Sequence, residues 1–220
     1  MSVQAVLFDI DGTLVDSNDL HIRAWQEALA GEGHQFDAQV LHDQIGKGAD
    51  NLVPTLLPGS DAATAERLGD AHGKVFKDRY LAAVKPFPHA RDLLARVAAA
   101  GAQVVLASSA SKEELEHYLD LLDARALVTA TTSIDDVGTS KPAPDIFATA
   151  LGKLNGVAAG DAVAVGDSPY DAESAGKCGI RTVGLRSGKF PDHALTAAGA
   201  VAVYDDVAAL LADYDRSPLS

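Results

Sequence analysis

An apolar run near the start of the chain ends in two carboxylates, and this junction constrains the fold more than any other feature. Residues 3–17 read VQAVLFDIDGTLVDS, so Asp9 and Asp11 follow a run of strand length. Because side chains alternate between the faces of a strand, residues two apart begin on the same side of the backbone. Two such charges repel unless a cation joins them, and oxygen ligands suit Mg²⁺. Gly12 permits a sharp turn directly afterwards, so the segment predicts a magnesium site at a strand end.

Apolar runs of strand length alternate with segments of helical spacing from residue 87 onwards. Strands separated by helices imply a parallel sheet with helices on both faces, and ligands gather at the carboxyl ends of its strands. We therefore predict an α/β fold with a Rossmann-like parallel sheet, and Asp9 stands at such an end. The predicted later strands span residues 103–107, 127–130, 162–165, 181–185 and 201–204.

The segment between residues 17 and 86 shows helical spacing without a β-rich run. Its exit, Lys85-Pro86-Phe87-Pro88, is expected to be extended, because a residue before proline is pushed out of the helical region. We expect a core of residues 1–16 and 87–220, with a small all-helical domain over 17–86 inserted into it. The predicted helices of the insert cover residues 20–31, 40–45, 52–57 and 62–84.

The segment FDIDGTLVDS, residues 8–17, resembles the first motif of the haloacid dehalogenase-like (HAD) superfamily of phosphohydrolases and phosphomutases. A D-x-D pair alone also fits an acidic strand-to-loop turn. In the family the first aspartate, here Asp9, is the nucleophile that becomes an aspartyl phosphate. The second, here Asp11, is the general acid and base. The resemblance implies a HAD-like core that carries a helical cap.

Two hydroxyl residues follow the next predicted strand. Ser108 and Ser109 stand where apolar residues give way to a predicted helix start, and backbone amides at such a start cradle phosphate. Ser111 with Glu114 also fits a capping box, which supports a helix start there. A cluster of helix-capping serines is the alternative. By resemblance, Ser108 is the second motif, whose hydroxyl binds the transferring phosphoryl group. Ser109 is expected to contribute its backbone N–H.

Lys141 lies in the sequence KPAPD, before a predicted helix that Pro144 can open. A lone loop lysine is usually a solvated surface charge, but the proline after it holds Lys141 extended. The pattern matches the third motif of the family. Lys141 is therefore expected to offset the charge of the nucleophile and of the phosphoryl oxygens.

A further apolar strand, residues 162–165, ends in Gly166 and Asp167. Asp167 is our candidate for the remaining protein ligand of the metal. Asp171 is ambiguous, because Ser168, Pro169 and Asp171 also fit an N-cap, a first-turn proline and a capping box. For Asp171, helix capping and contact with a metal-bound water are equally open as roles.

Two residues of the insert are candidates for the pocket. His21 lies one helical turn before Trp25, and the pattern L-H-x-x-A-W resembles β-phosphoglucomutase and related capped phosphatases. A lone histidine is more often structural. Lys47, in Gly46-Lys47-Gly48, either reaches the active site when the cap closes or belongs to a flexible turn.

The charge of the chain limits its partners. The formal net charge is −13 and the pI about 4.7, so the overall field repels nucleic acid and anionic membranes. We expect a small phosphorylated metabolite as partner, with no nucleic acid and no membrane, and the oligomeric state stays open. Because the chain shows neither a leader pattern nor an apolar run of bilayer length, we expect a cytoplasmic location.

The resemblance implies a Mg²⁺-dependent phosphatase that hydrolyses a small phosphomonoester through an aspartyl phosphate. The metal would be held by the carboxylates of Asp9 and Asp167 and the main-chain carbonyl of Asp11. A sugar phosphomutase of the β-phosphoglucomutase type is the alternative. The mutase pattern carries an arginine in the first cap loop and an acid at position 166; residues 47–50 hold no arginine and residue 166 is glycine. Dehalogenases lack the second aspartate, and a non-enzymatic protein would leave a complete site unused.

Overall fold

Six parallel strands form the main sheet of the computed structural model, which describes residues 3–220. The strands are β1 Ala5–Phe8, β4 Gln103–Ala107, β5 Ala130–Thr132, β6 Ala162–Gly166, β7 Arg181–Leu185 and β8 Ala200–Tyr204. Their order, β5-β4-β1-β6-β7-β8, places β1 between β4 and β6. The predicted parallel α/β architecture is confirmed.

Helices cover both faces of this sheet, and alternate residues of β1 point into the two layers. Val6 and Phe8 pack into one buried cluster, whereas Ala5 and Leu7 pack into the other. Among residues 3–220, no helix combines the length and the apolar character that crossing a bilayer requires. The helices of the core are α5 Ala90–Ala99, α6 Lys112–Leu121, α7 Asp145–Gly152, α8 Pro169–Lys177, α9 Asp192–Ala197 and α10 Val207–Ala212.

A helical insert with its own apolar core interrupts the chain after β1. It contains α1 Asn18–Gly31, α2 Ala38–His42, α3 Ala49–Leu56 and α4 Ala62–Arg79. The predicted helical insert is therefore confirmed. Its buried cluster consists of Ile22, Trp25, Leu29, Leu41, Ile45, Leu52, Val53, Ala65 and Leu68.

Two short strands join the insert to the core. Strands β2 Val15–Asp16 and β3 Lys85–Pro86 pair in antiparallel register, so the chain enters and leaves the insert side by side. Two-residue strands are too short to show a hydrophobic period, and the sequence pattern missed this pairing. We propose residues 17 and 86 as the limits of the insert, because the paired strands end beside them.

Some predicted elements are displaced in the structure, and the helix expected at 52–57 lies at Ala49–Leu56. The strand expected at 127–130 lies at Ala130–Thr132, because the amides of residues 127 and 128 both donate to the Ala124 carbonyl in a turn. The helix expected to reach residue 84 ends at Arg79 and is followed by a 3-10 turn, Leu81–Ala83. The helix expected at 40–45 begins earlier, at Ala38, and ends at His42.

Candidate active site

The carboxyl ends of three neighbouring strands meet at one rim of the sheet. Asp9 follows β1, Ser108 follows β4 and Asp167 follows β6. In the strand register, Phe8 is paired with both Leu106 and Val165, so the three strands end at the same level of the sheet. Parallel pairing therefore brings the residues after these strands to a common edge.

Three buried carboxylates lie close together at this rim. Asp9, Asp167 and Asp171 each offer an oxygen atom within 4.8 Å of the others, and none is more than 5% exposed. Burial raises the pKa of the Asp9 carboxyl well above its ordinary value, although Lys141 opposes the shift. Burial and the charge of Asp171 raise the pKa of Asp167 to about 7. Like charges held away from water are costly, so this acid cluster favours a bound cation.

Lys141 supplies one positive charge to the acid cluster. Its ammonium nitrogen lies 2.5 Å from Asp9 Oδ1 and 2.7 Å from Asp171 Oδ1, and the side chain is 1% exposed. Burial alone would lower the pKa of Lys141, but the two carboxylates outweigh it and raise the pKa above its ordinary value. One ammonium group faces three carboxylates, so the cluster still lacks positive charge.

The surroundings of Asp167 fit a hard divalent cation. Its two oxygens accept hydrogen bonds from Thr13 (3.1 Å) and Asn18 (2.8 Å). Two glycines let the backbone approach it closely, because a Cβ on Gly12 or Gly188 would lie 2.1 or 2.2 Å from Asp167 Oδ2. Within residues 3–220, the buried amide oxygen of Asn18 has no hydrogen-bond partner. An oxygen-only donor set that lacks positive charge suits Mg²⁺-like ions.

Asp171 combines helix capping with membership of the acid cluster. Its Oδ2 accepts hydrogen bonds from the Ser168 amide (3.1 Å) and hydroxyl (2.6 Å), which completes a capping box at α8. Its Oδ1 faces Lys141. The capping that the sequence indicated is therefore present, and contact with a metal-bound water stays a prediction.

The Asp11 carboxyl is oriented by three donors from α1, α6 and the turn between β2 and α1. Its Oδ1 accepts hydrogen bonds from Ser17 Oγ at 2.6 Å, Tyr118 Oη at 2.9 Å and His21 Nε2 at 3.1 Å. Burial by itself raises the pKa of Asp11, but the charge of His21 and these hydrogen bonds together lower it below its ordinary value. Tyr118 was not among the residues that the sequence indicated, because a tyrosine on the apolar face of a helix is typical of an ordinary core.

Aromatic side chains surround His21 on the insert side. The His21 ring stacks on Phe76 with centroids 3.8 Å apart, and its Nδ1 lies 3.3 Å from His72 Nε2. His72 in turn stacks on Trp25 at 4.2 Å. Burial by itself lowers the pKa of His21, but the charge of Asp11 and its hydrogen bond outweigh burial and raise the pKa above its ordinary value. Burial and the charge of His21 lower the pKa of His72 well below its ordinary value.

These opposite shifts define a pH interval in which His21 is protonated and His72 is neutral. His21 then donates to Asp11 through Nε2 and to His72 through Nδ1. His72 was not among the residues that the sequence indicated, because its partners lie 51 residues away on α1.

A cavity of about 630 Å³ separates the insert from the sheet rim, and Asp9, Asp11, His21, Lys47 and Ser109 are among its lining residues. The ammonium group of Lys47 donates to Gln44 at 2.6 Å and lies 4.6 Å from the Tyr170 ring centre. Burial lowers the pKa of Lys47. The structure therefore brings His21 and Lys47 of the insert to the same cavity as Asp9.

The two serines differ in their exposure to this cavity. Ser108 is completely buried, and its hydroxyl accepts a hydrogen bond from the Ala110 amide at 3.0 Å. Ser109 lines the cavity, and its hydroxyl lies 3.5 Å from the Gly46 carbonyl of the insert. The capping box expected after these serines is present at Ser111 and Glu114.

Known proteins of similar sequence and structure include phosphatases and hydrolases. The chain is 32% identical over 192 residues to the phosphoglycolate phosphatase of Yersinia pseudotuberculosis serotype I, across 85% of this chain and 82% of that one. It is 29% identical over 216 residues to the phosphoglycolate phosphatase of Rhodospirillum rubrum, across 94% and 89% of the two chains. The crystal structure of a hydrolase from Pseudomonas syringae superimposes with a TM-score of 0.89 and 29% identity, across 97% and 98% of the two chains.

The family model that matches residues 6–185 is described as haloacid dehalogenase-like hydrolase. That range contains the acid cluster, Lys141 and the helical insert. The resemblance inferred from the first motif is confirmed, and so is the prediction of an enzyme. By its sequence, its sheet and its relatives alike, this chain belongs to the haloacid dehalogenase-like hydrolases.

Proposed function

We propose that the protein is a Mg²⁺-dependent phosphatase that hydrolyses a small phosphomonoester through an aspartyl phosphate on Asp9. The observation that carries the proposal is the setting of Asp9, which directly follows β1, lines the cavity and pairs with the buried ammonium group of Lys141. A carboxylate nucleophile needs such nearby positive charge, because its target is itself an anion.

The metal site of the proposal consists of the Asp9 and Asp167 carboxylates and the main-chain carbonyl of Asp11. The shortage of positive charge in the acid cluster and the close approach of Gly12 and Gly188 to the Asp167 carboxylate support it. When bound there, Mg²⁺ would neutralise charge on the phosphoryl oxygens. Lys141 would share that work, with the hydroxyl of Ser108 and the backbone N–H of Ser109 holding the oxygens.

The reaction has two displacements at phosphorus. In the first, a carboxylate oxygen of Asp9 forms a bond to phosphorus while the bond to the leaving oxygen breaks, and Asp11 gives that oxygen a proton. In the second, water attacks the aspartyl phosphate, Asp11 takes a proton from the water, and phosphate and the free Asp9 carboxylate are regenerated. Each displacement restores the protonation state of Asp11 that the other requires.

A small phosphorylated metabolite is the substrate class that the cavity and the relatives support. The relatives from Yersinia and Rhodospirillum are named for phosphoglycolate, and a cavity of about 630 Å³ accommodates a molecule of that size. We also propose that the protein acts in the cytoplasm without nucleic acid or membrane partners, which its net charge of −13 supports.

The proposal is tested by measuring phosphate release from a panel of phosphorylated metabolites, including 2-phosphoglycolate and glucose 1-phosphate. We expect release in Mg²⁺ and its loss in EDTA, with recovery when Mg²⁺ is added back. Isomerisation of glucose 1-phosphate without phosphate release would instead identify a phosphomutase. Phosphate release that is the same in EDTA would contradict the metal site.

A further inference from the structure

The two oxygens of the Asp11 carboxyl have different surroundings. Oδ1 accepts three hydrogen bonds, from Ser17, His21 and Tyr118. In the part of the chain that the structure describes, residues 3–220, no donor lies within hydrogen-bond distance of Oδ2. Because Asp11 lines the cavity, one face of the carboxyl is saturated by protein and the other is left for a ligand.

Tyr118 is the donor that comes from the α/β core. It lies on α6, is completely buried and packs within the larger apolar cluster. A buried tyrosine hydroxyl usually finds a hydrogen-bond partner, and the partner of this one lies 107 positions earlier in the chain. Burial and the charge of Asp11 raise the pKa of Tyr118 well above its ordinary value, so its hydroxyl keeps its proton and donates.

The saturation of Oδ1 decides where a proton can sit on Asp11. A proton on Oδ1 would turn that oxygen into a donor and oppose the three donors that already face it. A proton on Oδ2 leaves all three hydrogen bonds intact. The donors therefore hold the carboxyl in one orientation and direct its proton to the oxygen on the free side.

We propose, building on the function proposed above, that Tyr118 is a positioning residue for the acid step. By holding Asp11 through Oδ1, its hydroxyl presents Oδ2 as the oxygen that gives a proton to the leaving group. As the bond between phosphorus and the leaving oxygen breaks, the Oδ2 proton moves to that oxygen. The Asp11 carboxylate that results keeps its three donors and then accepts a proton from the attacking water.

The experiment compares two substrates whose leaving groups differ in their need for a proton. An alkoxide leaves poorly unless it is protonated, whereas para-nitrophenolate leaves without a proton. The quantity measured is kcat/KM, because it reports only the steps up to release of the first product. Parent and Tyr118→Phe proteins are assayed with 2-phosphoglycolate, or the best alkyl phosphate of the panel, and with para-nitrophenyl phosphate.

We expect Tyr118→Phe to lower kcat/KM about tenfold or more for the alkyl phosphate and less than about twofold for the aryl phosphate. Asp11→Ala should show the same selective pattern with a larger loss. Adding Tyr118→Phe to Asp11→Ala should cause no further loss, because the positioned group is already absent. If Tyr118 had a merely structural role, Tyr118→Phe would lower kcat/KM equally for both substrates.

Tyr214→Phe is the matched control, since Tyr214 is also buried and its hydroxyl has no partner among residues 3–220. The Tyr214→Phe protein should have the kcat/KM of the parent with both substrates. If Tyr118→Phe does not fold, Ser17→Ala removes the 2.6 Å donor to the same oxygen and should give the same selective loss.

The outcomes separate this inference from the function on which it rests. An equal loss with both esters, or a rate at or above that of the parent, overturns the assignment of Tyr118 while the phosphatase activity stands. A parent protein that hydrolyses neither ester nor any member of the panel overturns the proposed function, and the Tyr118 assignment with it.

Discussion

The two ends of the cavity are built in different ways. At the sheet end, Asp9 lines the cavity, and Lys141 and Asp167 lie almost completely buried beside it. At the insert end, His72 and Trp25 form an aromatic stack, His21 contacts Asp11, and the lining also includes Lys47, Lys74 and Lys77. Strand ends position the first group, whereas packing between two helices positions the second. We interpret the difference as a separation of bond-breaking chemistry from recognition of the substrate's leaving group.

The largest expected effect is that of Asp9→Asn, which removes the proposed nucleophile but keeps its shape. We predict that phosphate release falls by about a thousandfold or more, with thermal unfolding close to that of the parent. Asp92→Asn, at an exposed carboxylate on α5, is the control and should keep parental activity. An Asp9→Asn protein with the parental rate would exclude Asp9 as the nucleophile.

Lys141→Met tests the charge balance of the acid cluster. Because a buried ion pair that loses one partner leaves an unpaired charge, we predict a loss of about 3–5 kcal/mol in the free energy of unfolding without metal. Urea denaturation measures it. Lys153→Met removes an exposed pair with Asp136 and should cost about 1 kcal/mol or less. Equal losses in the two variants would show that the cluster does not depend on Lys141.

Gly188→Ala tests the space around Asp167. A methyl group there would lie 2.2 Å from Asp167 Oδ2 and displace the carboxylate. We predict that the Mg²⁺ concentration for half-maximal activity rises about tenfold or more. Gly176→Ala, on α8, meets no atom within 4 Å and should leave it unchanged, with a gain in stability of about 0.5–1 kcal/mol. Unchanged Mg²⁺ dependence in Gly188→Ala would argue against metal binding at Asp167.

His72→Ala probes the insert end and should have the smallest effect. It removes the face that stacks on Trp25 and the acceptor for His21. We predict a rise in KM of about three- to tenfold with kcat within about twofold. His193→Ala, at an exposed site on α9, should change neither. A fall in kcat with KM unchanged would show that His72 contributes to bond breaking. It would contradict the separation of chemistry at the sheet end from recognition at the insert end.

Local patterns predicted the sheet end because each residue there follows directly from a strand or opens a helix. Asp9 and Asp167 end apolar runs, and Lys141 precedes the turn into α7. In a parallel sheet, the carboxyl ends of all strands lie at one edge, whichever segments connect the strands. The same reasoning located the capping boxes at α6 and α8 within one residue, because capping depends on residues three apart.

Contacts between distant segments were not predictable in this way. Tyr118 reaches Asp11 across 107 residues, and His72 reaches His21 across 51. Each belongs to a helix whose apolar face shows only that it is buried, not which partner it meets. The pairing of β2 with β3 was missed for a related reason, because a strand of two residues is too short to show a hydrophobic period.

By itself, the sequence determined the parallel α/β core, the helical insert and the acidic residues at the strand ends, because these follow from hydrophobic period and local turn chemistry. Only the tertiary structure decided which oxygen of Asp11 is saturated, that Lys141 also pairs with Asp171, and what lines the far side of the cavity. Those features depend on how the insert packs over the sheet, and packing sums weak contacts over residues that no short window of sequence contains.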